Sequence, residues 1–503
     1  MSESSETKEF RRRQQQGLGA PIDSWEANES RHVRVNDIVY KSNTWRTFED
    51  FLFDYVKLLL TADWAKPEFS KPVIERHPLM RWYDKLCEFQ KNQAKMASGE
   101  IYSSPTTGAV KAFLNIAYNL YLCAHNKSLH DSLLIRLRNE DQFEGALYEA
   151  YVIASFIKAG FEIELEDESD STVSHCEFAA KHRISGRQFS VEAKATTLSS
   201  ERSGHGEKPP RVRDRLFKAL KKKSAHERII FIELNRAEDT KKENPPKWLG
   251  VVADELSQAE KDFRIDGDPS AYVFVTNQNF MHWLDSPSKP ELQVAAGYKI
   301  PDFPPYKLGE CKMSELVAAR EKHAEVLHLL EALNLYARVP STFDDRAPEE
   351  VFDNVERFQI GQKLLIPDEH GLAVEAELIS GLVIENGTKA WCQFNTAKGF
   401  CMVTFPLTEA ETAIYNRSPE TFFGALQEVR KPVTEPHECY DFIFGTFKNA
   451  SKESLLKLIE GWPDFEALQK LDQAQLAKTY SERVSTDMWL DGQKRRQTIR
   501  QAT

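Results

Sequence analysis

Glu192 and Lys194 stand two apart in the run Phe189-Ser-Val-Glu-Ala-Lys-Ala-Thr196. On an extended strand that spacing sends both side chains to one face, while Phe189, Val191, Ala193 and Ala195 take the other. A carboxylate beside an ammonium suits metal-dependent cutting of a phosphodiester: hard oxygens hold a divalent ion, and a cation stands next to the scissile phosphate. In a chain whose residues are 28% charged, a Glu-x-Lys triplet also arises as an ordinary solvated strand face. The elements around it must decide.

Upstream, Val173 to Lys181 reads as a strand, and Ile184-Ser-Gly-Arg187 as the tight turn that joins it to the Glu-x-Lys strand. With Ser185 and Gly186 as the loop, Glu177 falls directly opposite Lys194, and Glu192 lies on the adjacent diagonal. This register also sorts polarity. Cys176, Phe178, Ala180, Phe189, Val191 and Ala193 share one face; Glu177, Lys181, Ser190, Glu192 and Lys194 share the other. A slip of one residue would destroy the separation.

A helix from about Phe143 to Ala159, closed by Gly160, precedes the hairpin. Its apolar stripe is Ala146, Leu147, Ala150, Ile153, Phe156 and Ile157, and Glu149 lies inside that stripe, where an acid needs a partner. Glu144 falls on the wetter side with Tyr148, Tyr151 and Ser155. Phe161 to Glu166 alternates as a half-exposed strand. Beyond the hairpin come a basic helix at about Val212 to Lys223, the apolar strand Arg228 to Leu234, a helix around Val251 to Phe263 and a buried strand at Ala271 to Thr276.

This order of helix, three strands, helix and strand, with Glu149 in the first helix, Glu177 in the second strand and Glu192-Ala-Lys194 in the third, resembles the PD-(D/E)xK nuclease superfamily over roughly Asp141 to Asn277. The resemblance implies an α/β (mixed) restriction-endonuclease-like central sheet flanked by helices. It implies Mg²⁺ or Mn²⁺ held by Glu177 and Glu192, with Glu149 ligating directly or through water, and Lys194 orienting the attacking water. The family pattern usually has Asp, often after Pro, where this chain has Cys176-Glu177, so the carboxylate sits one methylene farther out. Asp170, in the polar run from Glu166, is the alternative aspartate.

A net charge of −11 argues against a general nucleic-acid coat, so any contact with nucleic acid requires a local basic surface. Arg211, Arg213, Arg215, Lys218 and Lys222 supply one on the basic helix, with Leu216, Phe217 and Leu220 packed inward; an ordinary solvated helix face is the competing reading. The seven cysteines are odd in number and form no Cys-x-x-Cys pair, which argues against a zinc ribbon or disulfide framework. No apolar run reaches the roughly 18 residues needed to span a bilayer, and the start lacks the apolar stretch of a secretion signal. The expectation is a soluble, cytoplasmic protein with no membrane partner.

Composition and patterning divide the chain into a disordered tail at 1–30, a helical domain at 31–135, the nuclease-like core at 136–310, a helical connector at 311–345 with one helix from Met313 to Leu335, a small β domain at 346–415 and a helical region at 416–503. Glu385-Asn-Gly-Thr388 marks a hairpin turn in the β domain. The functional expectation is a metal-dependent endonuclease that cuts DNA in preference to RNA, by analogy a restriction or anti-phage defence effector, with self-association or partner subunits. The competing expectation is a nuclease-fold binding or scaffold subunit without catalysis.

Overall fold

The computed structural model describes residues 3–93, 105–127, 131–165, 176–196, 210–237, 246–261, 269–287, 291–305, 308, 311–353, 355–367, 370–427 and 433–502. The chain forms two compact units, Met1–Lys299 with His328–Val429, and Ile300–Leu327 with Arg430–Thr503.

The first unit begins with helix α1 (Ser5–Gln16) and an antiparallel meander of β1 (Asp23–Ala27), β2 (Ser30–Val35) and β3 (Ile38–Ser42). This corrects the expected disordered tail and the purely helical segment after it. Arg11 and Arg12 are tied to Glu3 and Glu9, and the Gln16 amide donates to Asp345 at 2.7 Å. Helices α2 (Phe48–Leu60), α3 (Ala62–Phe69), α4 (Pro78–Gln93), α5 (Gly108–Asn126) and α6 (Asp131–Arg138) follow.

The core then runs through α7 (Phe143–Lys158), β4 (Phe161–Leu165), β5 (Phe178–His182), β6 (Gln188–Ala195), α8 (Val212–Leu220), β7 (Glu227–Glu233), α9 (Lys247–Lys261), β8 (Ala271–Asn277) and β9 (Leu292–Tyr298). The six strands lie side by side in chain order. β6, β7 and β8 are mutually parallel; every other neighbouring pair is antiparallel. The expected order of helix, three strands, helix and strand is present, and β9 is an addition.

Helix α7 is buried on nearly every side because α5 and α6 pack outside it and the sheet inside. Gly160 ends it at φ +85°, in the left-handed region where an added Cβ would stand 3.1 Å from Leu18. On the sheet, the Phe156 ring lies 5.0 Å from Phe161, 5.5 Å from Phe178 and 6.0 Å from Phe231. The opposite face belongs to α8 and α9, whose Leu216, Leu220, Trp248 and Val252 join Ile230, Ile232, Val273 and Val275 in a second buried cluster.

The β5–β6 hairpin differs from its expected register. Phe178 pairs with Val191 and Lys181 with Gln188, a shift of two residues that sets Glu177 across from Glu192 instead of Lys194. The loop has four residues, Arg183 to Gly186, closed by Gly186 N–H donating to the His182 carbonyl at 2.8 Å with Gly186 at φ +71°. Ser-Gly lacks the Asn or Asp that favours a two-residue type I′ turn, and a shift of two leaves the faces unchanged. The polar face does not meet solvent either: Ser190 and Glu192 are buried.

Later in this unit, α12 (Pro348–Phe352), the four-stranded antiparallel sheet β10 (Lys363–Pro367), β11 (Ala373–Ile384), β12 (Lys389–Thr396) and β13 (Gly399–Pro406), and α13 (Glu409–Arg417) surround their own core. They follow α10 (Met313–Lys322) and α11 (Ala324–Leu335), which replace the single helix expected there and break at His323. The second unit contains α10 together with α14 (Pro436–Phe447), α15 (Lys452–Leu458), α16 (Phe465–Leu468) and α17 (Gln473–Ala502). There Met313, Leu316 and Val317 pack on Tyr440. Among the described residues, no helix is long and apolar enough to cross a membrane.

Phe156→Ala should lower the stability of the first unit by about 3–5 kcal/mol, because it empties the contact between α7 and three strands. Equilibrium denaturation followed by aromatic fluorescence measures this, and a loss below 1 kcal/mol would contradict the packing described.

Candidate active site

Strand β6 lies between β5 and β7, so the direction of each of its side chains follows from its partner in the parallel register. Glu192 pairs with Ile230 and Lys194 with Ile232, both in the α8/α9 cluster, so the acid and the lysine face that layer. Glu177 joins them from just before β5, where its backbone N–H donates to the Val191 carbonyl at 3.0 Å. Lys222 enters from the turn that follows α8. That turn is held by Cys176 Sγ, 3.5 Å from the Lys223 carbonyl oxygen, and by Arg228, which donates to the Lys222 carbonyl at 3.4 Å.

Four charges meet there. Lys194 is ion-paired with Glu192, and its Nζ lies 3.8 Å from Glu177 Oε1. Lys222 Nζ lies 2.8 Å from Glu192 Oε1 and 3.3 Å from Glu177 Oε1. The Glu192 side chain is 1% exposed, whereas Glu177, Lys194 and Lys222 keep 19–26% of theirs in water. Among the described residues no backbone N–H or hydroxyl reaches the buried Glu192 oxygens, so the two ammoniums are their compensation. Burial raises the Glu192 pKa above the usual carboxylate range and Glu177 adds to the rise; Lys194 and Lys222 pull against it. Burial alone would depress the Lys222 pKa, but Glu177 and Glu192 outweigh it and leave the ammonium more basic than usual.

The other expected residues lie elsewhere. Glu149 is gripped by the Arg136 guanidinium of α6 through contacts of 2.6 and 3.0 Å. Its helix packs on the Phe178 and Phe231 face of the sheet, opposite the one that carries Glu192. It is therefore not part of the four-charge cluster, and the partner that its buried position demands is an arginine. Arg211, just before α8, and Lys218 on it are exposed. The Arg213 guanidinium stacks over Phe217, and Arg215 donates to the Pro210 carbonyl at 2.7 Å. Lys222, expected on this outer basic surface, turns inward to the acids. Asp170 lies outside the described residues.

A fifth titratable group escaped the sequence reading. Glu233 ends β7 on the α7 face, fully enclosed. It accepts backbone N–H groups of Asn235 and Gln278, both at 2.8 Å, and the Thr276 hydroxyl at 2.5 Å; Tyr148 in turn meets Thr276 at 2.8 Å. Burial lifts its pKa to about 7 against these hydrogen bonds. The signal was an acid closing an otherwise apolar strand, Ile229-Ile-Phe-Ile-Glu233.

Among the described residues no group of three or more His, Cys, Asp or Glu side chains is placed to hold a metal ion. The oxygen donors at the cluster are the two carboxylates of Glu177 and Glu192. Mg²⁺ commonly takes one or two protein carboxylates and fills its remaining positions with water and substrate phosphate, so two suffice for that ion and fall short of an all-protein cage.

Glu233 should leave a mark on the pH dependence of stability. Its carboxyl titrates near 4.5 in the unfolded chain and near 7 in the folded one. The folded protein thus retains a proton that the unfolded chain has lost, and stability falls as pH rises through that interval, by about 3 kcal/mol in all. Urea denaturation at pH 5 and pH 7.5 should show this fall in the wild type and a much smaller one in Glu233→Gln; equal slopes would contradict it. Comparisons with known protein families, curated proteins and solved structures found no match to the chain.

Proposed function

We propose that the protein is a metal-dependent nuclease of the PD-(D/E)xK type, acting on DNA, with Glu177, Glu192 and Lys194 as its reactive centre. The observation that carries this reading is the convergence of two carboxylates, one of them buried, and the lysine of a Glu-x-Lys strand, on elements in the order helix, three strands, helix, strand.

A divalent ion fits the donor set. Glu192 presents two buried oxygens that no neutral donor among the described residues satisfies, and hard carboxylate oxygens prefer Mg²⁺ or Mn²⁺. When bound, the ion would supply Lewis-acid stabilisation of the charge that develops on the scissile phosphate. Glu177 and Glu192 would hold it. Lys194, beside both acids, would place its ammonium against the phosphate, offset negative charge and orient the attacking water. The exposed cations Arg211, at the start of α8, and Lys218, on it, offer sequence-independent contacts to neighbouring phosphates.

Glu149 has no place in this scheme. Its pairing with Arg136 makes it a structural acid, and Glu149→Gln should cost about 2 kcal/mol of stability while leaving cleavage within a few-fold of the wild type.

Incubation of purified protein with plasmid DNA and Mg²⁺ or Mn²⁺ tests the proposal directly. Wild-type protein should nick or linearise the plasmid, chelation should stop it, and Glu192→Ala and Lys194→Ala should each lower the rate by at least about 10²-fold, the scale on which single electrostatic groups act. Activity that survives both substitutions would remove the cluster from the reaction. A silent wild type with no metal binding by calorimetry would favour the non-catalytic scaffold reading, which the complete internal pairing of the four charges also supports.

A further inference from the structure

Two acids and two lysines make the cluster formally neutral, and the two lysines are not equivalent. Lys194 belongs to the same strand as Glu192. Lys222 comes from a different element, beyond the end of α8, and its ammonium spans the gap between the carboxylates, 2.8 Å from one and 3.3 Å from the other. It therefore engages the same pair of oxygen donors that a divalent ion would need. An ammonium that bridges both carboxylates and a divalent cation cannot share them at that range without strong repulsion, whereas Lys194, 3.8 Å from Glu177, is in close contact with one acid alone.

We infer that Lys222 is a resident counter-ion that competes with the divalent ion for Glu177 and Glu192 and is released when the ion binds. The inference rests on the metal-dependent reading of the site and adds a regulatory property to it. The charge count gives the device its direction. With both lysines in place the cluster sums to zero. Exchange of Lys222 for a divalent ion leaves it at +1, the charge that one phosphodiester balances, and frees an ammonium at the rim for a second phosphate. Metal and nucleic acid then assist each other, because whatever draws Lys222 outward opens the carboxylates, and whatever occupies the carboxylates frees Lys222. In isolation the protein holds its ion weakly; with nucleic acid present it holds it well. The side chain is suited to this movement. It remains 19% exposed and carries its charge on a flexible four-carbon stem, while its backbone is anchored through Arg228 and the neighbouring Lys223 carbonyl.

The test is calorimetric titration of Mn²⁺ into the full chain without nucleic acid, comparing wild type, Lys222→Met, Lys222→Arg and Glu192→Ala, with circular dichroism to establish that each is folded. Lys222→Met should bind Mn²⁺ at least tenfold more tightly than wild type. Lys222→Arg, which retains a cation, should stay near the wild-type affinity, and Glu192→Ala should not bind. The inference is overturned if Lys222→Met binds Mn²⁺ no more tightly than the wild type while Glu192→Ala abolishes binding, an outcome that leaves the metal site itself intact. Absence of Mn²⁺ binding in both wild type and Lys222→Met overturns the metal reading and the inference together. Should Lys222→Met fail to fold, Lys222→Gln, close in length and hydrogen-bonding capacity, carries the same expectation.

Discussion

A carboxylate taken out of water loses hydration worth several kcal/mol even after relaxation, and Glu192 sits in the middle of a sheet with almost none of its side chain exposed. The surrounding structure is arranged to make that position tolerable. β6 places Lys194 two residues further along the same face, while the β5 approach brings a like charge, Glu177, across from Glu192 and so makes a second cation necessary. Helix α8 buries Leu216 and Leu220 against the sheet and so determines where the chain emerges, two residues later, at Lys222. The fold and the site are thus one problem. Shorten α8 by a turn and the acid loses one of its counter-charges; move the hairpin by two residues and Glu177 no longer stands across from it.

The same sheet solves a second buried acid differently on its other face. Among the described residues Glu233 has no cation beside it; two backbone N–H groups and a hydroxyl compensate it instead. Dipoles orient toward a charge but do not cancel it, and the Glu233 pKa climbs to about 7. The ammoniums at Glu192 carry full charge and remain in partial contact with water. The contrast is between a buried acid compensated by full charges and one compensated by dipoles alone.

The period-two alternation around Glu192 makes its shared face with Lys194 legible from sequence, and the apolar runs of β7 and β8 announce buried parallel strands. Register is less legible, since an even shift preserves every polarity assignment and only the geometry of Arg183 to Gly186 distinguishes the alternatives. The Arg136 partner of Glu149 is a tertiary fact, contributed by another helix. Lys222 lies beyond the last residue of α8, where helical periodicity no longer predicts direction. The β1–β3 meander was concealed in a polar stretch, although Asn28 and Asn36, both at positive φ, occupy the two-residue turns that join its strands.

Neither unit of the molecule is continuous along the chain. The first is completed only when His328–Val429 returns to Met1–Lys299, and Ile300–Leu327 must await Arg430–Thr503. The Gln16 amide and the Asp345 carboxylate are 329 residues apart, an interval of roughly tens of seconds at ordinary rates of translation. A nascent chain emerging from the ribosome therefore carries α1 before its partners Asp345 and Glu420 have been made. Such a polypeptide spends much of its synthesis with its first unit incomplete, and incompletely assembled units of this kind are the species most exposed to misassembly.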